Sequence, residues 1–182
     1  MGTFIIVLCF SCADNAKTAE STVAVENNEE DKVQQKKTAT SAFIPTYSFA
    51  DFDPKYLQQK NDTTYIVNFW ATWCKPCIEE LPAFEKINQE YSKEKVKVVL
   101  TSLDFPERLE KQVIPFIKKY DLRSEVVLLD DPDANSWIPK VSEEWSGAIP
   151  ATIIYNQHER VFYERSFTYD ELKSELTSKF QL

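Results

Sequence analysis

Asn68-Phe69-Trp70-Ala71-Thr72-Trp73-Cys74-Lys75-Pro76-Cys77 is the stretch on which the reading of this sequence turns. It completes a run, Thr64 to Trp70, of β-branched and aromatic residues, which predicts a buried strand. From about Cys74 to Ser92 the residues Leu81, Phe84, Ile87 and Tyr91 fall on one stripe, which predicts a helix. The two cysteines therefore stand where a strand gives way to the start of a helix. Residues i and i+3 of a helix share a face ~5–6 Å apart, a gap that a disulfide can close. Cys74 faces the helix N-terminus, where unpaired N–H groups and the macrodipole stabilise a thiolate. Pro76 lacks an N–H at a position where the helix needs none. These features assign Cys74 as attacking nucleophile and Cys77 as resolving thiol.

Outward from this stretch, strands and helices alternate. Phe52 to Gln59 reads as a short helix, with Asp53 as N-cap and Pro54 in the first position. Val96 to Leu103 and Glu125 to Leu129 read as strands. Between them, Phe105 to Tyr120 has helical spacing interrupted by Pro115. Pro132 to Glu144 is helical in part, with Pro139 as a break or bend, and Pro82 is expected to kink the helix that starts at Cys74. Ala151 to Tyr155 and Arg160 to Phe167 read as paired strands joined through Asn156–Glu159, and Asp170 to Phe180 as a closing amphipathic helix. The fold class is α/β, a central mixed β-sheet flanked by helices on both faces. Such sheets carry their chemistry at the carboxyl ends of strands, where the cysteine pair lies.

Composition narrows the chemistry. The chain has 182 residues and a net charge of −8, with four lysines against six acidic residues in 1–42. The remainder is thus also acidic, a poor match to a phosphate backbone, so no nucleic-acid partner is expected. Gly2 and Gly147 are the only glycines, too few for a phosphate-binding loop. Four cysteines form two local pairs, Cys9/Cys12 and Cys74/Cys77. A zinc site wants four ligands, yet the domain has no second cysteine pair and His158 is the only histidine. No metal and no separate cofactor are expected.

The N-terminus reads as an address label. Phe4 to Phe10 is an apolar run too short to span a bilayer, which needs ~20 residues, but long enough for the core of a secretory signal. Cys9-Phe10-Ser11-Cys12 resembles a bacterial lipobox, which implies that Cys12 is the lipid-bearing residue. The absence of Lys or Arg before the run departs from that pattern, and a buried strand Ile5–Phe10 is the alternative. Residues 13–42 hold almost no large apolar side chains and read as a flexible tether. The expected organisation is a signal segment 1–12, a tether 13–42 and a domain 43–182.

The quoted decapeptide resembles the active-site segment of the thioredoxin superfamily, and more narrowly its TlpA/ResA-like branch. Trp145-Ser146-Gly147-Ala148-Ile149-Pro150-Ala151-Thr152 is similar to that branch's cis-proline segment. The resemblance implies a thioredoxin-like fold over roughly 45–180. It implies that Pro150 is a cis-proline facing the cysteines, and that Ile149 pairs through its backbone with an extended substrate. An ordinary trans-proline at a strand entry is the alternative. Asn68 stands where cytoplasmic thioredoxins keep a buried acid. The resemblance hands that role to Glu80, three residues after Cys77; helix-dipole complementarity alone also explains an acid there. Trp73 is expected to flank the substrate groove, Trp70 to pack in the core, and His158 to be exposed.

Together these readings imply an extracytoplasmic lipoprotein of the bacterial envelope that reduces protein disulfides through Cys74 and Cys77. Its partners would be disulfide-bearing proteins and a membrane-embedded thiol reductant. A disulfide oxidase or isomerase, or a Cu(I)-binding thiol module, are the alternatives. Copper binding lacks support from any nearby methionine or histidine. A peroxidase would carry a lone reactive cysteine in a different Thr/Pro setting.

Overall fold

The computed structural model describes residues 44–182. The expected signal segment, the tether and Cys12 lie outside them. Six strands form one sheet in the order β1-β4-β3-β2-β5-β6. They are β1 Thr46–Tyr47, β2 Thr64–Trp70, β3 Val96–Ser102, β4 Glu125–Leu129, β5 Ala151–Tyr155 and β6 Arg160–Tyr163. β1 to β4 run parallel where they pair, while β5 is antiparallel to β2 and to β6. The mixed sheet expected from the sequence is the one observed.

The two faces of the sheet follow from the period-2 alternation of strands. Ile66 and Trp70 of β2 point with Val98, Leu100 and Ile154 to one face. There they meet Leu81, Phe84 and Ile87 of α2 (Lys75–Tyr91) and Leu172 and Leu176 of α5 (Tyr169–Lys179). Val67 and Phe69 point to the other face, against Phe52 and Tyr56 of α1 (Phe49–Tyr56) and Trp137 and Val141 of α4 (Ala134–Val141). A third cluster packs Ile117 of α3 (Ile114–Tyr120) and Val113 on Leu128, near the β1 edge. β2 is buried along its whole length, which is why it reads as β-branched and aromatic residues broken only by Asn68.

Four elements differ from the sequence reading, one of them β6, which ends at Tyr163 and not at Phe167. α1 begins earlier, at Phe49, and its N-cap is Ser48, whose hydroxyl accepts the Asp51 N–H at 3.3 Å, so Asp53 caps nothing and Pro54 lies inside the helix. An interior proline costs ~3 kcal/mol. Burying Phe49 and Phe52 returns ~1.5–3 kcal/mol each, and Phe49 also stacks on Trp137 at 5.6 Å. Packing wins over the proline signal. The span expected as one interrupted helix before Tyr120 is a 3₁₀ turn Pro106–Arg108, a π-turn Leu109–Val113 and then α3, with Pro115 in the first turn of α3. Finally, β1 is a two-residue strand that the sequence did not announce. α2 runs from Lys75 to Tyr91 through Pro82, and α4 ends two residues past Pro139.

Candidate active site

The site forms where three chain segments meet at the carboxyl end of β2. The antiparallel register pairs Phe69 with Ala151, so the residues before β5 face the loop after β2. The parallel register pairs Trp70 with Ser102, so the residues after β3 lie beside the same loop. The backbone continues this pairing, with the Leu103 N–H donating to the Trp70 carbonyl at 2.8 Å.

Cys74 and Cys77 form a disulfide across the first turn of α2, with Cα atoms 5.3 Å apart. Cys74 is the N-cap, and its Sγ accepts the Cys77 N–H at 3.3 Å. The Cys74 N–H closes a turn onto the Ala71 carbonyl at 3.1 Å. Cys74 retains slight exposure whereas Cys77 has none. Of the two sulfurs, the one an outside group can reach belongs to Cys74. The Ile149–Pro150 peptide bond is cis, and the Ile149 carbonyl oxygen lies 3.7 Å from Cys74 Sγ. Its loop is tied down by Glu164, which accepts the Ser146 N–H at 3.1 Å and the Ala148 N–H at 3.0 Å. The Trp145 ring N–H donates to the Ala148 carbonyl at 2.8 Å. Gly147 takes a left-handed φ of 94°, and a Cβ there would crowd Ile138 at 3.3 Å.

Glu80 lies one turn beyond Cys77 on α2 and is 2% exposed. Asn68, on the sheet face that α2 covers, donates to its Oε1 at 2.8 Å, and the Phe167 N–H donates to its Oε2 at 2.9 Å. The Asn68 amide nitrogen also reaches Thr152 Oγ1 at 3.1 Å, across the β2–β5 pairing. Burial pushes the Glu80 carboxyl up to about 7, and the Phe167, Asn68 and Arg165 contributions only partly oppose it. A carboxyl titrating near neutrality one turn from Cys77 suits general acid–base work. In the disulfide form its hydrogen bonds go to Asn68 and Phe167.

Asp104, which sequence reasoning passed over, anchors the loop before the cysteines. It is 2% exposed, and its carboxylate accepts the Thr72 N–H at 2.9 Å, the Thr72 hydroxyl at 2.5 Å and the Ser102 hydroxyl at 2.9 Å. The available signal was an acidic residue just past the carboxyl end of a predicted strand. Trp73, by contrast, stands 65% exposed beside Cys74, while Trp70 is fully buried and His158 is exposed.

Residues 44–164 match the family model described as the AhpC/TSA family. The chain belongs to that family. Among curated relatives, it is 43% identical over 72 residues to the thioredoxin-like protein YneN of Bacillus subtilis, covering 40% of this chain and 42% of that protein. It is 30% identical over 86 residues to the thiol-disulfide oxidoreductase ResA of a Bacillus cereus strain, covering 46% of this chain and 48% of that one. The chain thus spans about half the length of these curated relatives. Among solved structures, a thioredoxin-related protein from Neisseria meningitidis serogroup B superposes with a TM-score of 0.58 at 23% identity, covering 69% of this chain and 91% of that one. A DsbF homologue from Corynebacterium diphtheriae gives 0.53 at 20% identity, covering 69% and 75%. The fold of this family member is thioredoxin-like.

Two outcomes test the site. The Glu80 carboxyl has its pKa raised in the folded state from an ordinary 4.5 to about 7. Folding stability from this group is therefore full below about pH 4.5 and is lost as pH rises through 7, by on the order of 3 kcal/mol. In urea unfolding of the disulfide form, Glu80→Gln is expected to lack that decline between pH 5 and 8. Parallel wild-type and variant curves would contradict the raised pKa. For the loop, Asp104→Ala is expected to cost roughly 1–3 kcal/mol by leaving the Thr72 donors unpaired. It is also expected to speed amide exchange at Thr72 and Cys74, whereas Asp104→Asn, which keeps an acceptor, changes both less. Unaltered exchange in Asp104→Ala would show that the loop holds without it.

Proposed function

We propose that this chain is an extracytoplasmic thiol–disulfide oxidoreductase that reduces disulfides in proteins. The observation that carries the reading is the Cys74–Cys77 disulfide at the N-terminus of α2, one turn from a buried carboxyl with a pKa of about 7. The names of its curated relatives, thioredoxin-like protein and thiol-disulfide oxidoreductase, support the same class.

The step runs from the dithiol form. The Cys74 thiolate attacks one sulfur of the substrate disulfide; that S–S bond breaks, and a mixed disulfide forms while the other sulfur leaves as a thiolate that takes up a proton. Cys77, deprotonated with Glu80 as the acceptor, then attacks Cys74 Sγ. The second substrate sulfur leaves and is protonated in turn. Two electrons have passed from the protein to the substrate, and the Cys74–Cys77 disulfide results. A dithiol reductant, for which we propose a membrane-embedded protein, restores the starting form. Trp73, Ile149 and Pro150 flank the attack path as substrate contacts, with the Ile149 backbone free to pair with an extended strand.

For location, we propose that residues 1–12 are a lipoprotein signal ending at Cys12 and that 13–42 tether the domain to the envelope membrane. No helix among the described residues is long and apolar enough to cross a membrane.

If the cysteine roles are right, Cys77→Ser accumulates mixed disulfides with substrate proteins and Cys74→Ser accumulates none, as read on non-reducing gels. Equal trapping by the two variants would overturn the assignment. A Cys12→Ala protein is expected to leave the membrane fraction while keeping its thiol activity, and persistence in that fraction would sink the lipid anchor.

A further inference from the structure

Beside the cysteines lies a second feature that the exchange chemistry does not use. Thr72, Trp73, Gln112, Pro115, Phe116 and Lys119 wall an open cleft of about 350 Å³. That is near the lower limit of ~300–1,000 Å³ for small-molecule sites, and it suits one large side chain better than a cofactor. Its walls belong to two supports. Thr72 and Trp73 sit on the loop that Asp104 fixes, directly before Cys74. Phe116 is held by ring contacts on both sides, 5.2 Å from Trp70 and 4.3 Å from Tyr120.

The surroundings are unusual for this protein in two respects. Among the described residues, the large apolar side chains standing exposed are Trp73 (65%), Phe105 (70%) and Tyr120 (47%). Trp73 walls the cleft, Tyr120 stacks on its Phe116, and Phe105 follows the Asp104 that grips its Thr72. Exposed aromatic rings on a rigid support are what binding surfaces concentrate. The second respect is charge. The chain carries −8, yet Glu107–Tyr120 holds Arg108, Lys111, Lys118 and Lys119 against only Glu107 and Glu110. None of those four cations forms an ion pair among the described residues. Lys119 is the only charged residue walling the cleft, with its ammonium 5.1 Å from the Tyr120 ring centre.

We propose that this cleft is a substrate subsite: it receives an aromatic or aliphatic side chain next to the substrate's disulfide cysteine, and Lys119 selects polypeptides with Asp or Glu beside that side chain. The inference rests on the disulfide-exchange reading above and names its substrate class. Trp73, Pro115 and Phe116 supply the apolar walls. The unpaired Lys119 ammonium supplies an attraction that a neutral or cationic segment cannot use, and it acts mainly on encounter and register.

The test uses the reduced full chain and three peptides, Glu-Phe-Cys-Phe-Glu, Lys-Phe-Cys-Phe-Lys and Glu-Ala-Cys-Ala-Glu, each with its cysteine joined by a disulfide to mercaptoethanol. Every rate constant is divided by that peptide's rate with dithiothreitol, which removes differences in intrinsic sulfur reactivity. The wild type is expected to prefer the first peptide to the second by about five-fold at low salt, the scale of one exposed charge pair. That preference shrinks toward unity at about 0.5 M salt. It also prefers the first to the third by about five-fold or more. Lys119→Gln is expected to abolish the charge preference while keeping the Phe-over-Ala preference, and Lys119→Glu to reverse the charge order. Trp73→Ser lowers the Phe-over-Ala ratio. A Glu-over-Lys ratio that is absent in the wild type, or unchanged in Lys119→Glu, overturns the subsite. Hydroxyethyl disulfide, a small neutral substrate that does not need the cleft, separates the two readings. If the wild type fails to reduce even this compound, the oxidoreductase reading itself falls.

Discussion

Everything around the cysteine pair depends on how β2 is paired. With Trp70 opposite Ser102 on one side and Phe69 opposite Ala151 on the other, the register fixes three loops against one another. The loop after β2 carries Cys74; the loop before β5 carries Ile149 and Pro150; the residues after β3 include Asp104. A slip of one residue in either ladder would turn every side chain of the strand to the opposite face. It would take Asn68 away from α2 and so remove a donor from Glu80. The complete burial of β2 makes such a slip costly, because Val67 and Phe69 would exchange places with Ile66 and Asn68 between two different apolar layers.

The polar groups near the cysteines show how a buried charge is kept usable. Glu80 is surrounded by the apolar residues that join α2 and α5 to the sheet, an environment that favours its neutral form. Two donors, the Asn68 amide and the Phe167 N–H, favour the ionised form. The balance leaves a group that gains and loses a proton near neutrality instead of a permanently fixed charge. Asp104 meets a different environment, with three donors converging on its two oxygens, and acts as an anchor.

Much of the fold was legible in the sequence. The bounds of β2, β4 and β5 agree with the runs that announced them, and α2 begins at Lys75, one residue from the start at about Cys74 that the helical stripe predicted. These elements carry strong local signals: β-branched runs, a helical stripe and a cysteine-proline helix start. The errors fall where local signals compete. Pro54 suggested a helix start, but burial of Phe49 and Phe52 draws the helix back to Ser48. Around Pro106 and Pro115 the chain divides into three short turns of different pitch, a choice the helical spacing of the apolar residues did not distinguish.

By itself the sequence determined the cysteine pair, its place at a helix N-terminus and the α/β alternation, since each is encoded by residues a few positions apart. Only the tertiary structure decided which distant residues surround that pair. Asn68 and Phe167 reach Glu80, Asp104 reaches Thr72, and Phe116 and Lys119 come beside Trp73. Those contacts span 12 to 87 positions of chain and arise from strand register and helix packing. Register is settled by the sum of many side-chain contacts across two faces, and no short segment of sequence contains that sum.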